Sequence, residues 1–156
     1  RKEGKGRKRG KPGCPPDSPA CFLVDLCTCL PPPELMTDMT VGQDFYQHQV
    51  AALEAQDIDA LVGQYHEDAV MIGFDFTVRG HQAIREHLTG YLTRLGSLKL
   101  VSTDRFAETA DSIFFEATVH TPLAEARVYD VFVLRDGRAT HQWTGVISVS
   151  PFSFPT

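Results

Sequence analysis

From Thr40 onward, apolar and polar positions follow two periods in succession, first the roughly 3.6-residue period of helices and then the two-residue alternation of strands. Tyr46, Val50 and Leu53 fall on one helical face with Gln49 beside them, and the pattern ends near Gln56. Asp57 is placed to cap a short second helix whose apolar residues are Ile58, Leu61, Val62 and Tyr65, with His66, Glu67 and Asp68 closing it. Ala69 to Ile72 predicts a strand, followed by a turn region from Gly73 to Gly80. A third helix is expected from about His81 to Leu95, with Ile84, Leu88, Tyr91, Leu92 and Leu95 in one stripe and Gly96 as its stop. Four strand patterns complete the chain: Leu98 to Phe106, Ile113 to His120, Ala126 to Leu134 and Ala139 to Val149. Helices first and a meander last predict an α+β domain, with helices on one face of a curved antiparallel sheet.

Asp130 is the anomaly in this pattern, a lone carboxylate in the apolar run Val128-Tyr129-Asp130-Val131-Phe132-Val133-Leu134. An ionised carboxylate removed from water without partners is costly, so such a group is either hydrogen-bonded or held protonated. The following Asp136-Gly137 is a strong two-residue hairpin signal. Counting outward from it pairs Arg135 with Arg138, Leu134 with Ala139, Phe132 with His141, Asp130 with Trp143 and Val128 with Gly145, all on one face. The opposite face takes Arg127, Tyr129, Val131 and Val133 against Thr140, Gln142, Thr144 and Val146. In that register Asp130 and His141 are diagonal neighbours on the apolar side.

Length and charge narrow the possibilities. A chain of 156 residues holds one domain with a proper core. Arg1 to Pro12 carries seven basic residues and one acid, whereas the chain after Thr37 has eight basic residues and sixteen acids. An acidic body argues against nucleic acid or an anionic membrane as its partner. Residues 1–35 are basic, then rich in Pro and Cys, and carry no sustained period; we expect a disordered leader, with residues 36–156 forming the domain. Met36 or Met39 is an alternative start, with the preceding stretch as upstream sequence. A secretory reading of Cys21 to Cys27 meets Asp25 inside the apolar core and no small-residue cleavage site, and that run is too short to span a bilayer. All four cysteines, Cys14, Cys21, Cys27 and Cys29, lie in this leader, without the paired spacing of structural zinc sites. A cysteine-free body suits the cytoplasm.

Three stretches together resemble a known superfamily: Val50-Ala51-Ala52-Leu53-Glu54-Ala55-Gln56-Asp57-Ile58-Asp59-Ala60-Leu61, His66-Glu67-Asp68-Ala69-Val70, and Arg79-Gly80-His81-Gln82-Ala83-Ile84-Arg85-Glu86. With Asp130 to Arg138 and Trp143, the chain resembles the nuclear-transport-factor-like superfamily, in its branch of SnoaL-like polyketide cyclases and ketosteroid isomerases. The resemblance implies a cone-shaped curved sheet with three N-terminal helices on its concave face, a deep pocket, and a homodimer formed through the sheet. It also implies that Asp130 matches the strand acid which, in the isomerase, stays protonated and donates to the substrate oxyanion. The isomerase's oxyanion tyrosine aligns with Gln49, one helical turn after Tyr46, and its general base aligns with Gly73, leaving Asp75 as a displaced substitute. Limonene epoxide hydrolases of the same superfamily place Arg and Asp two apart on one strand; here Arg127 and Asp130 are three apart and point to opposite faces.

The expected site therefore has Asp130, His141 and Asp75 as catalytic candidates, with His141 or Asp75 removing a proton and Asp130 polarising a carbonyl or orienting the histidine. Tyr46 and Gln49 are candidates for holding the substrate oxygen, and Trp143, Phe132, Phe74, Phe76 and Met71 for lining the pocket. His81 and His87 fall off the third helix's apolar stripe, and His120 off the apolar side of its strand. No metal or nucleotide cofactor motif occurs in the sequence. The function expected is cofactor-independent acid-base catalysis, of cyclase, isomerase or dehydratase type, on a small apolar carbonyl or polyketide-like compound. A non-catalytic binding or dimerisation module is the alternative, with epoxide hydrolysis behind it.

Overall fold

The computed structural model describes residues 38–152, and the expectations for the leader, its cysteines and its short apolar run lie outside the described residues. The elements are Val41–Ala55 (α1), Ile58–Gly63 (α2), Tyr65–Ile72 (β1), Thr77–Arg79 (β2), Gly80–Leu95 (α3), Lys99–Glu108 (β3), Ser112–His120 (β4), Ala124–Arg135 (β5) and Arg138–Pro151 (β6). Local chemistry fixes the helix ends. Thr40 caps α1 through a capping box with Gln43, and Gln56 ends it in the left-handed conformation at φ 55°. Asp57 accepts from the Ala60 N–H at 2.9 Å to start α2, and Gly96 at φ 77° stops α3.

The strands form one curved sheet in the order β2-β1-β6-β5-β4-β3. All neighbours are antiparallel except β1 and β6, which run parallel. On its concave face Phe45 of α1 and Ile84, Leu88 and Leu92 of α3 pack against Met71, Ile113, Phe115 and Phe132. Alternation along β4 is as the sequence predicts: Ile113, Phe115, Ala117 and Val119 are buried and their neighbours are not.

Three local features depart from the sequence reading. His66 belongs to β1 rather than to the end of a helix, because Tyr65 is fully buried and the Ala139 N–H donates to Gln64 O at 2.8 Å. Sheet pairing there outweighs the helical pattern. The turn region contains β2, which folds back on β1 with Ile72 opposite Thr77 and Val70 opposite Arg79. The third departure has the largest consequence. The β5–β6 hairpin begins as counted, Arg135 with Arg138 and Leu134 with Ala139, but the next pair is Val133 with His141. Thr140 is an unpaired extra residue, a β-bulge whose hydroxyl donates to Val133 O at 3.2 Å. Beyond it Phe132 faces Gln142, Val131 faces Trp143 and Asp130 faces Thr144. One extra residue thus exchanges the two faces of β6 from His141 to Val146 relative to the predicted register, until a second shift, which leaves Ile147 unpaired between Val146 and Ser148, restores them.

The bulge separates two positions that the unbulged register would pair on the inner face. Phe132 is fully buried against Phe45, Tyr65 and Phe115, with ring centroids 4.9, 6.3 and 6.2 Å away, whereas His141 is exposed. Phe132→Ala should cost about 3–5 kcal/mol in urea unfolding, and His141→Ala within about 0.5 kcal/mol. Comparable losses at the two positions would contradict the bulged register.

Candidate functional site

Between α1, α3 and the inner face of the sheet lies a cavity of about 440 Å³, within the roughly 300–1,000 Å³ usual for small-molecule sites. Leu53, Leu88, Leu100, Phe115 and Val128 give it apolar walls. Each element adds a few polar groups: Tyr46 and Gln49 from α1, Asp130 from β5, Gln142 and Thr144 from β6, and His87, Tyr91 and Arg94 from α3. Asp75, in the loop between β1 and β2, is exposed at the rim.

Asp130 is the chemical centre of this arrangement. Burial pushes its carboxyl from 3.8 up to about 7, with hydrogen bonds from Gln142 and Thr144 pulling the other way. Gln142 Nε2 donates to Asp130 Oδ1 at 2.7 Å, and the Tyr65 hydroxyl donates to Gln142 Oε1 at 2.6 Å. Tyr65 occupies the carbonyl end of the amide, so the amide can only offer its N–H₂ to the carboxyl. Burial and the nearby Asp130 also raise the Tyr65 phenol, which keeps it a donor. Polarity in this chain of bonds therefore runs one way, from Tyr65 through Gln142 to Asp130.

The two α1 candidates play different parts. Tyr46 lines the wall with its ring, against Phe106 and Phe115, while its hydroxyl is paired with Thr103 Oγ1 at 2.6 Å. Gln49 is 4 % exposed, and among the described residues its Oε1 has no hydrogen-bond partner. Its carboxamide lies beside the Tyr65 hydroxyl. A buried acceptor without a partner is uncommon and leaves an acceptor to be satisfied at this wall.

Of the remaining candidates, Met71 and Phe76 line the cavity, and Phe74 stands at its rim, 78 % exposed and edge-on to Tyr129 at 6.1 Å. Phe132 lies in the core and does not line the cavity. His141 and Trp143 are on the outer face, stacked on each other at 5.8 Å, because the Thr140 bulge turned them there. They do not meet Asp130. Gln142 and Thr144 take the places expected for them, and no sequence signal marked the exchange. His87 was also assigned away from the site, yet it lines the cavity with its ring stacked on Phe76 at 4.0 Å. Burial, then the charge of Arg94, lowers the His87 imidazole, with Asp75 opposing, so the ring is neutral at physiological pH. A signal did exist here, since His87, Tyr91 and Arg94 are four and three residues apart and share one helix face. At Gly73, where the isomerase has its base, a Cβ would run into the Phe76 ring. Among the described residues no cluster of three or more His, Cys, Asp or Glu could hold a metal ion, and no helix is long and apolar enough to cross a membrane.

Solved structures share this architecture. An NTF2-like protein from Anabaena variabilis ATCC 29413 superposes with a TM-score of 0.62 at 16% identity, over 69% of this chain and 87% of that one. TerC, crystallised with polyporic acid, matches with a TM-score of 0.60 at 21% identity, over 67% of this chain and 90% of its own. A Sinorhizobium meliloti protein provisionally named a polyketide cyclase gives 0.59 at 19% identity, over 69% and 96%. A Kribbella flavida protein provisionally named a ketosteroid isomerase gives 0.60 at 10% identity, over 74% and 83%. At these identities the likeness is one of fold. A search of curated proteins finds no match. The family model described as the SnoaL-like domain matches residues 46–142, the span from the cavity face of α1 to the glutamine that holds Asp130, and this chain belongs to that family.

Proposed function

We propose that the protein is a cofactor-independent acid-base enzyme, of cyclase, isomerase or dehydratase type, acting on a small, largely apolar carbonyl compound. The observation that carries this reading is Asp130, a carboxyl in an apolar cavity wall with its proton affinity raised to about 7 and its orientation fixed by Gln142. Solved neighbours bearing the names polyketide cyclase and ketosteroid isomerase support the reaction class, and TerC with polyporic acid supports a small-molecule site. In its protonated form Asp130 donates to the substrate carbonyl, stabilising the negative charge that develops there when a neighbouring C–H is deprotonated. His87, neutral and lining the cavity, takes the base role once expected of His141, and Asp75 at the rim is its alternative. Gln49 Oε1, a buried acceptor without a partner among the described residues, accepts from a substrate hydroxyl. The outer face bearing Tyr129, Val131, His141 and Trp143 pairs with the same face of a second copy, and the cysteine-free body works in the cytoplasm.

Three measurements test this reading. Loss of α-hydrogens to D₂O from a panel of enolisable aryl ketones, followed by NMR, registers the half-reaction whatever the product. The wild type should accelerate this exchange, and Asp130→Asn should slow it at least about 100-fold with the fold intact. No acceleration by the wild type, or equal rates in the variant, would leave a binding module as the better account. The second measurement uses linkage. Because the folded-state pKa of about 7 lies above the ordinary 3.8, the stability Asp130 contributes is complete below pH 3.8. It declines as the pH rises and is gone above about 7. Asp130→Asn should therefore gain on the wild type between pH 4 and pH 8, by up to about 4 kcal/mol at about 1.4 kcal/mol per pH unit; a constant difference between the two proteins would show an ordinary carboxylate. For the dimer, native mass spectrometry should find twice the chain mass in the wild type and the monomer in Trp143→Asp. A monomeric wild type would remove the sheet-to-sheet pairing.

A further inference from the structure

The polar groups of the cavity are divided between two walls. Asp130, Gln142 and Thr144 lie on the sheet, and His87, Tyr91 and Arg94 follow one another along a single face of α3. Arg94 sits in the last turn of α3 and is exposed, which places its guanidinium at the rim. It is the one Lys or Arg among the described residues that line the cavity. The ion pairs among the described residues engage Arg85, Arg105 and Arg127 and leave Arg94 without a carboxylate. Tyr91, three residues before Arg94 on the same helix face, also lines the cavity; burial raises its phenol first, Asp130 raises it further, and Arg94 lowers it. Among the described residues Arg94 and Asp130 form no ion pair and share no hydrogen bond. Asp75 is the opposing charge at the rim, and of the two Arg94 acts more strongly on His87.

We infer that the substrate is a carboxylate-bearing carbonyl compound, its acid group held at the cavity rim by Arg94 and its carbonyl presented to Asp130 on the opposite wall. This rests on the acid-base reading of Asp130 and adds the substrate's charge and orientation to it. A guanidinium offers paired N–H donors matched to the two oxygens of a carboxylate. A single arginine with a neutral histidine beside it suits a monoanion, whereas a phosphate dianion would call for further cations. The apolar walls between the two ends accept the hydrocarbon body. Entry in the reverse sense would place the substrate's charge against a largely apolar wall and away from the Arg94 guanidinium, which desolvation opposes. Anchoring the acid at the rim therefore fixes which end of the molecule reaches the proton-holding group, and binding remote from the reacting bond serves positioning.

The test is a binding measurement that needs no turnover. The probes are 2-naphthylacetate and its neutral amide, 2-naphthylacetamide, titrated into the full chain by calorimetry at low salt. The wild type should bind the acetate at least tenfold more tightly than the amide. Arg94→Gln should abolish that preference by weakening the acetate alone, Arg94→Lys should retain part of it, and added salt should erode it. Asp130→Asn should keep the preference, because the anion sits at the other end. Equal affinity for the two probes in the wild type, a preference that survives Arg94→Gln, or failure of both probes to bind would overturn the inference. A preference lost in Asp130→Asn but kept in Arg94→Gln would do the same. Failure of the acid-base reading would show separately, as unchanged proton exchange in Asp130→Asn.

Discussion

Asp130 can occupy an apolar wall because Gln142 donates to it, and Gln142 faces inward because Thr140 is left out of the strand pairing. Without that bulge the inner face would bring Asp130 opposite the Trp143 indole and diagonal to the His141 imidazole instead of the Gln142 amide that Tyr65 holds at its other end. Tyr65 provides that hold from β1, whose first residue pairs with Ala139 just before the bulge. The parallel β1–β6 contact and the bulge are therefore parts of one device. Pairing brings the Tyr65 hydroxyl to β6, the extra residue turns Gln142 toward it, and the amide passes the polarity on to Asp130. A bulge beside a site, re-aiming a side chain, is a recurrent use of this irregularity.

The balance at Asp130 is set between two opposing effects of similar kind. Burial favours the neutral carboxyl, and donation from Gln142 and Thr144 favours the anion; burial prevails, but not by enough to keep the group neutral at every physiological pH. A carboxyl poised near neutrality can both hold a proton toward an oxygen and release it. More donors would have made it a plain carboxylate, and none would have left it a permanent acid. The neutral amide is what allows the intermediate setting, since a cation in the place of Gln142 would have lowered the carboxyl far more than a neutral donor does.

Much of the fold was legible because it depends on periodicity and on a few capping residues. Asp57 and Gly96 bound elements where their chemistry says they should, and the alternation along β4 gave its buried face directly. Asp130 stood out for the same reason, as a break in an apolar run. The site was less legible because it depends on register, which one unpaired residue reverses. Nothing about Thr140 distinguishes it from an ordinary strand residue, so His141 and Trp143 read as inward and Gln142 and Thr144 as outward. His66 was misread because helical and strand patterns overlap over a few residues, and pairing with β6, which is remote in sequence, decided between them. His87 was missed for a different reason: it lies beside the apolar stripe of α3 rather than in it, and a cavity is bounded by the margins of stripes.

The same geometry explains why the ketosteroid isomerase plan is not simply transferred with the fold. At Gly73, the position aligned with that enzyme's base, the Phe76 ring lies where a side chain would begin. No carboxylate can be carried there while Phe76 keeps its place. Phe76 in turn stacks on His87, and this contact helps bury the imidazole and hold it neutral. The ring that closes one place for a base therefore packs against an imidazole on the facing helix whose proton affinity burial keeps low. In the proposed reaction, with the acid on β5 and the base on α3, proton removal would come from the helix wall rather than from the loop after β1. Arg94 lies two helical turns further along that same wall. On the proposed reading, a substrate held between Arg94 and Asp130 would lie along the wall that also carries Tyr91 and His87, which would set the imidazole on the same side as the bonds next to its carbonyl.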